Sequence, residues 1–186
     1  MDNKASWKRD FRLLKKIAHG DEGAFEALYK TTSQKTFFYL LRRLEGKDLA
    51  EDVLAETYTQ VWKSAKNFRG QSNAGTWIIG IARNTAMKAL RKTGRTVSLE
   101  ERSEPADENP SIMETMDRTD FLKKAISKLS PDHREILDLV FYCQMSYPEV
   151  SKTVGIPVNT VKTRVFYAKK KMGEILNSMG ITKNDV

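Results

Sequence analysis

Cysteine, histidine and the residues that break regular structure are scarce in this chain. Its 186 residues include one cysteine, Cys143, and two histidines, His19 and His133. That excludes an internal disulfide framework and any zinc site assembled from Cys and His. Ten glycines and five prolines are few for a protein of strands and tight turns, and they favour an all-α fold. The longest apolar run, Trp77 to Ala82, is far short of the ~20 residues of a bilayer span. Met1–Ser6 hold no apolar stretch of the secretory kind, so a cytoplasmic protein with no direct membrane insertion is expected. Chemistry-bearing groupings are missing too. The histidines stand alone, no glycine-rich phosphate loop occurs, and Cys143 follows the apolar stretch Leu139 to Tyr142, where a buried, inert thiol is expected. No catalytic residue, metal, cofactor or small-molecule substrate is expected.

What the chain does have is cationic charge, unevenly spread. The net charge of +8 divides into +9 over residues 1–95, −6 over 96–120 and +5 over 121–186. Two basic blocks separated by an acidic one point to two modules that meet polyanions. Residues 96–117 are polar, contain Pro105 and Pro110 and show no sustained helical period, so they read as a flexible acidic linker. The expected organisation is two small helical domains, 1–95 and 118–186, on either side of it.

Within the blocks the apolar period is helical. Gly20, Asp21 and Glu22 precede Phe25, Leu28 and Tyr29, and the stripe resumes from Phe37 to Leu44 before Gly46. Asp48 with Glu51 reads as an N-cap with a capping box, opening a helix that buries Val53, Leu54, Tyr58, Val61 and Trp62. Phe68 to Gly75 reads as a loop, and Thr76 as the cap of a further helix. In the second block Phe121, Leu122, Ala125, Ile126 and Leu129 mark a helix. Ser130-Pro131 follows the pattern of a cap with proline at the first helical position. Ile136, Leu137, Val140 and Phe141 give the buried stripe of the helix it opens. Ser146 and Glu149 form a second capping box, Gly155 ends that short helix as a left-handed residue, and Pro157 starts the last, with Val158, Val161, Val165, Ala168, Met172 and Leu176 along one side.

Three constellations remain on the other faces. A short helix, Gly155-Ile156-Pro157 and a longer basic helix make a helix-turn-helix pattern. On the second helix Asn159, Thr160, Lys162, Thr163, Phe166, Tyr167 and Lys170 fall away from the valine stripe, with Arg164 at its edge. Amide, hydroxyls, cations and aromatics of this kind meet base edges, thymine methyls and phosphates; a solvated face of a small bundle is the plainer alternative. In the first block Asp48, Asp52 and Glu56 repeat at i, i+4 and i+8. Like charges so spaced disfavour their own helix by roughly 0.2–0.5 kcal/mol per pair, and the stripe fits either a basic protein partner or solvent. The third group, Phe68, Arg69, Gly70, Trp77, Arg83, Asn84 and Lys88, mixes aromatic, amide and basic side chains on a loop and the helix after it. That mixture suits single-stranded DNA, although Phe68 and Trp77 also fit as core residues.

At these residues the sequence resembles a bacterial RNA polymerase sigma factor of the extracytoplasmic-function (ECF) type, of the sigma-70 family, with sigma-2 and sigma-4 domains. The resemblance runs from about Gly20 to Leu176 and is carried by Ala24-Phe25-Glu26-Ala27-Leu28-Tyr29, Ala50-Glu51-Asp52, Thr76-Trp77, Ile81-Ala82-Arg83-Asn84, Leu129-Ser130-Pro131 and Thr160-Val161-Lys162-Thr163-Arg164. It implies an initiation factor without catalysis of its own that lends promoter specificity to core RNA polymerase. Asp48, Asp52 and Glu56 would dock on the β′ clamp helices, and Phe68–Gly70 with Asn84 would take a flipped base of the −10 element. The last helix would read the −35 element, and the sigma-4 domain would meet the β flap. An anti-sigma factor is an expected partner, and it would hold the chain at the membrane where it is itself anchored there. Two other readings fit parts of the pattern. A stand-alone helix-turn-helix regulator would have no use for Asp52 or Asn84, and an inhibitor that sequesters a regulator would not need the cations of the last helix.

Overall fold

The computed structural model describes residues 3–44, 46–92 and 118–181, so the linker read over 96–117 lies wholly outside the described residues. Among the described residues every regular element is helical, and none is long and apolar enough to cross a membrane. The chain divides into two compact units, Met1–Thr96 with Tyr142–Met145, and Val97–Phe141 with Ser146–Val186.

The first unit contains α1 (Asn3–Ile17), α2 (Glu22–Arg43), α3 (Lys47–Ser64), a 3₁₀ turn (Ala65–Asn67) and α4 (Ala74–Lys92). Helix α2 starts where the sequence places a cap: the Asp21 carboxylate accepts the Ala24 N–H at 2.8 Å. The core gathers Leu14 and Ile17 of α1, Ala24 and Leu28 of α2, Tyr58 and Val61 of α3, and Ala74 and Ile78 of α4. Aromatic edges close it. Phe25 meets Trp62 at 5.3 Å and 86°, and Tyr58 at 6.2 Å and 75°, the edge-to-face geometry that aromatic quadrupoles favour. The Tyr58 hydroxyl reaches Thr32 Oγ at 2.7 Å. Burial pushes its pKa up, with the Thr32 and Thr36 hydroxyls pulling the other way.

Two starts differ from expectation. Helix α3 begins one residue before Asp48, at Lys47, with Gly46 at φ 96° as the residue before it and no side-chain cap. Asp48 therefore lies in the first turn, where its charge still favours the positive end of the helix dipole. Helix α4 begins at Ala74 rather than after Thr76. Asn73 caps it, its side-chain oxygen accepting the Thr76 N–H at 2.9 Å, and Thr76 is buried. The helix α1 was not anticipated at all.

The second unit contains α5 (Arg118–Ser127), α6 (Pro131–Leu137), a π-helical segment that begins at Asp138, α7 (Tyr147–Val154) and α8 (Val158–Ser178). Helix α8 packs against α5, α6 and α7 through Val161, Val165, Ala168 and Ile175, all buried. Local chemistry sets the boundaries. Ser130 accepts the His133 N–H, the Glu149 carboxylate accepts from Ser146 N–H and Oγ at 2.9 and 2.8 Å, and Gly155 at φ 78° closes α7. The stripe expected at Ile136, Leu137, Val140 and Phe141 needs correction. Ile136 and Leu139 are the fully buried pair, whereas Phe141 is 56% exposed, with the Lys169 ammonium 5.6 Å from its ring centroid. The spacing that placed Phe141 inside is α-helical, and it does not carry across a π-helical segment with its wider turn.

Leu28 is fully buried at the centre of the first core. Leu28→Ala should cost about 2–5 kcal/mol, read as a lower urea midpoint of the first unit's unfolding; a loss below 1 kcal/mol would mean that this core collapses around the cavity.

Candidate nucleic-acid interface

The expected acidic stripe is a free face. Asp48, Asp52 and Glu56 are all exposed on α3, opposite Val53, Thr57 and Val61, which are buried. Glu56 accepts from Gln60 Nε2 at 2.7 Å, and among the described residues Asp48 and Asp52 have no ion-pair partner. The like charges are thus presented outward rather than neutralised within the unit.

The loop and α4 come together through rings. Phe68 and Trp77 are partly buried against the core cluster, their centroids 5.1 Å apart. Both serve as core, and this anchors the loop on α4. Trp77, Asn84 and Lys88 lie on one stripe of α4, since seven and four residues are nearly whole turns; Asn84 and Lys88 are exposed, as is Arg69 in the loop. Arg83 lies about 100° around the helix from Asn84 and is half-buried. Asn84 and Lys88 are thus exposed on the side of α4 that carries Trp77, two and three turns further along, Arg69 is exposed in the loop, and Arg83 lies to one side.

Gly70 explains how the loop keeps its shape. Its φ is +69°, and a Cβ there would lie 2.6 Å from Cε2 of Phe11. The Phe11 ring of α1 stands 5.9 Å from that of Phe68 and 5.6 Å from that of Trp7. Sequence reasoning missed α1 and hence Phe11. The signal was available, because Trp7, Phe11, Leu14 and Ala18 recur at helical spacing.

On α8 the expected reading residues are mostly free. Asn159, Lys162, Thr163, Phe166, Tyr167 and Lys170 are exposed, and Thr160 is half-buried. Phe166 and Tyr167 are 64% and 54% exposed and meet edge to face at 5.4 Å. Held against each other, the two rings stay largely open to water. The Thr163 hydroxyl donates to the Asn159 carbonyl at 2.9 Å. Arg164 differs from its neighbours: it pairs with Asp132 of α6 at 3.0 Å.

Comparison with protein families matches residues 28–96 to sigma-70 region 2 and residues 122–172 to sigma-70, region 4. The chain belongs to the sigma-70 family. It is a sigma factor of the ECF type, a transcription initiation factor and not an enzyme. It is 26% identical to the RNA polymerase sigma-H factor of Pseudomonas aeruginosa, over 92% of this chain and 96% of that one. It is 27% identical to the ECF RNA polymerase sigma-E factor of Haemophilus influenzae, over 87% and 92%. Among solved structures it resembles the sigma factor RpoE in complex with the anti-sigma factor NepR from Bartonella quintana, at TM-score 0.64 and 27% identity, covering 82% of this chain and 96% of that one. CnrH in complex with the cytosolic domain of CnrY shares the fold at TM-score 0.67 and 19% identity, over 91% and 98%. In this sigma factor the acidic face of α3, the loop and α4 lie within the region 2 match, and the exposed face of α8 lies within the region 4 match. Helix α1 precedes both.

Gly70→Ala forces a side chain into the left-handed region and against Phe11, so it should cost about 2–4 kcal/mol. Urea unfolding of the full chain measures this, and a loss under 0.5 kcal/mol would show that Phe11 yields and does not fix the loop.

Proposed function

We propose that this sigma factor divides its promoter and polymerase contacts among the three faces. The acidic face of α3, with Asp48, Asp52 and Glu56, docks on the β′ clamp helices of core RNA polymerase. The exposed set on the loop and α4 captures a −10 base flipped from the melted strand, and α8 reads the duplex −35 element, with its domain against the β flap. The observation that carries the reading is the segregation of chemistry. Carboxylates without an ion-pair partner among the described residues are exposed on α3, while an amide and cations are exposed on the loop and α4, and amide, cations and rings on α8. A polyanion is repelled by the first face and attracted by the others, so one partner cannot serve all three.

The division of labour follows from energies. Flipping a base costs a few kcal/mol, which is offset when Arg69, Asn84 and Lys88 meet it and its phosphates over a loop floor made by Phe68 and Trp77. In the major groove Asn159, Thr160, Lys162 and Thr163 supply bidentate and single hydrogen bonds to base edges, each good pair worth about 1–3 kcal/mol of discrimination. Lys170 suits phosphate, and Phe166 and Tyr167 suit thymine methyls. Tethering the two readers makes the second contact effectively intramolecular, with the 96–117 segment as tether. The chain acts in the cytoplasm with its polymerase. An anti-sigma factor is its expected regulator, as the Bartonella quintana RpoE complex with NepR supports, and would compete for the same faces.

Run-off transcription with bacterial core polymerase on a pool of promoter fragments tests the whole. Discrete starts that share two upstream elements are expected; retention of duplex DNA without polymerase binding or initiation would return the chain to a stand-alone regulator. Asp52→Lys should abolish core binding in a pull-down with the folded protein, and unchanged affinity would remove the α3 docking face. Asn84→Ala should flatten discrimination among −10 variants by about ten-fold and leave core binding intact. An equal loss on every −10 variant would argue against a base pocket.

A further inference from the structure

The cations of α1 are not used by any of the assignments above, and neither family region reaches them. The helix reads NKASWKRDFRLLKKI, six cations to one carboxylate. That carboxylate, Asp10, is buried and taken by Arg9 Nε at 2.8 Å. Lys8, Arg12, Lys15 and Lys16 are exposed and have no ion-pair partner among the described residues. A helix that carries so much unpaired charge of one sign on its open side repels itself and lowers that cost by meeting an anion.

The position of this charge narrows the anion. Lys8 and Lys15 lie three residues before and four after Phe11, so they share its side of the helix, and Lys15 Nζ stands 5.4 Å from the Phe11 centroid. Phe11 in turn lies against Gly70 and Phe68. Trp7, Phe11, Phe68 and Trp77 form a continuous run of rings, with neighbouring centroids 5.6, 5.9 and 5.1 Å apart. Lys15 therefore stands beside the ring that packs against the loop, with Lys8 on the same side of α1 and Arg12 one turn from Lys8. Trp7, 37% exposed, ends the run with a ring open to solvent.

We propose that the basic face of α1, Lys8, Arg12 and Lys15 on the helix whose Phe11 packs against the Phe68–Gly70 loop, is a sequence-independent contact for the phosphate backbone of the promoter strand that the loop holds. The inference rests on the −10 reading of that loop. Lysine and arginine on a helix face carry no base code, but each phosphate neutralised releases a counterion and deepens the salt dependence of binding. The role of α1 is then twofold: Phe11 sets the loop, and its neighbours hold the strand passing over it.

The test uses the full chain assembled with core polymerase and a promoter carrying a pre-melted −10 region. The variant Lys8→Gln/Arg12→Gln/Lys15→Gln should assemble normally and bind promoter at least ten-fold more weakly at low salt, by the same factor whatever the −10 bases. The slope of log affinity against log salt should fall by about 2, at roughly 0.7 per phosphate on a single strand. The charge-conserving variant Lys8→Arg/Arg12→Lys/Lys15→Arg should restore both. Wild-type affinity and slope in the glutamine variant would overturn the proposal. So would loss of core binding, which would assign the face to an acidic protein surface, or tighter promoter binding, which would assign it to the acidic 96–117 segment of the chain itself. Asn84→Ala, measured in parallel on −10 variants, separates the two readings. If it flattens discrimination while the glutamine variant behaves as wild type, the α1 proposal alone fails; if it leaves discrimination intact, the reading of the loop fails.

Discussion

The ring of Phe11 against the backbone of Gly70 is the contact on which the first unit's candidate site depends. Between the 3₁₀ turn and α4 the chain has little hydrogen bonding of its own: Phe68 N–H reaches the Ala65 carbonyl at 3.1 Å, and Asn73 holds the start of α4. In the middle, shape comes from packing. Gly70 adopts a backbone conformation that other residues resist, and the absent Cβ leaves room for a ring that would otherwise lie at 2.6 Å. That ring joins Phe68, and Phe68 joins Trp77. A loop held this way is ordered before any ligand arrives, so binding does not have to supply the ordering entropy of roughly 1–2 kcal/mol per residue.

The same unit tolerates charges that would weaken an isolated helix. Asp48, Asp52 and Glu56 oppose one another along α3, and Lys8, Arg12 and Lys15 do so along α1. Each like pair costs a few tenths of a kcal/mol, whereas burying one large apolar side chain contributes about 1.5–3 kcal/mol. Leu14, Leu28, Val61 and Ile78 are essentially inaccessible, so the core outweighs the faces several-fold. Sign can therefore be assigned to each face by what it meets, with little consequence for whether the helix forms.

Where a boundary is made by side chains acting on their own backbone, it was legible in the sequence. Asp21, Ser130-Pro131, the Ser146–Glu149 box and Gly155 all act within five residues, and each is found as read. The misreadings arise where two candidates compete nearby. Thr76 and Asn73 are both capping residues, and the structure uses the earlier one, leaving Thr76 inside the helix. Gly46 offers a positive φ just before Lys47, so α3 starts without needing Asp48 as its cap. Phe141 was placed by an α-helical spacing that the π-helical segment breaks. The exposed polar faces of α3, α4 and α8 were legible because exposed polar residues recur at helical spacing. That Phe68 and Trp77 serve as core was legible; that Phe11 packs against Phe68 was not, since it lies more than fifty residues away in the chain.

The pairing of Arg164 with Asp132 bears on how α8 would read DNA. The Asp132 side chain is 64% exposed, so solvent competes with the pair, and exposed ion pairs of this kind are worth about 0–1 kcal/mol. A guanidinium held so lightly is kept in a defined direction without being committed. Its five donors form a planar fork that suits guanine or phosphate, and redirecting it costs little beside the gain from either contact. Lys162 and Lys170, by contrast, stand free and pay full rotamer entropy on binding. Arg164 thus has a geometry partly set before DNA arrives, and its place at the edge of the valine stripe, next to the packed side of the helix, is what makes that pre-setting possible.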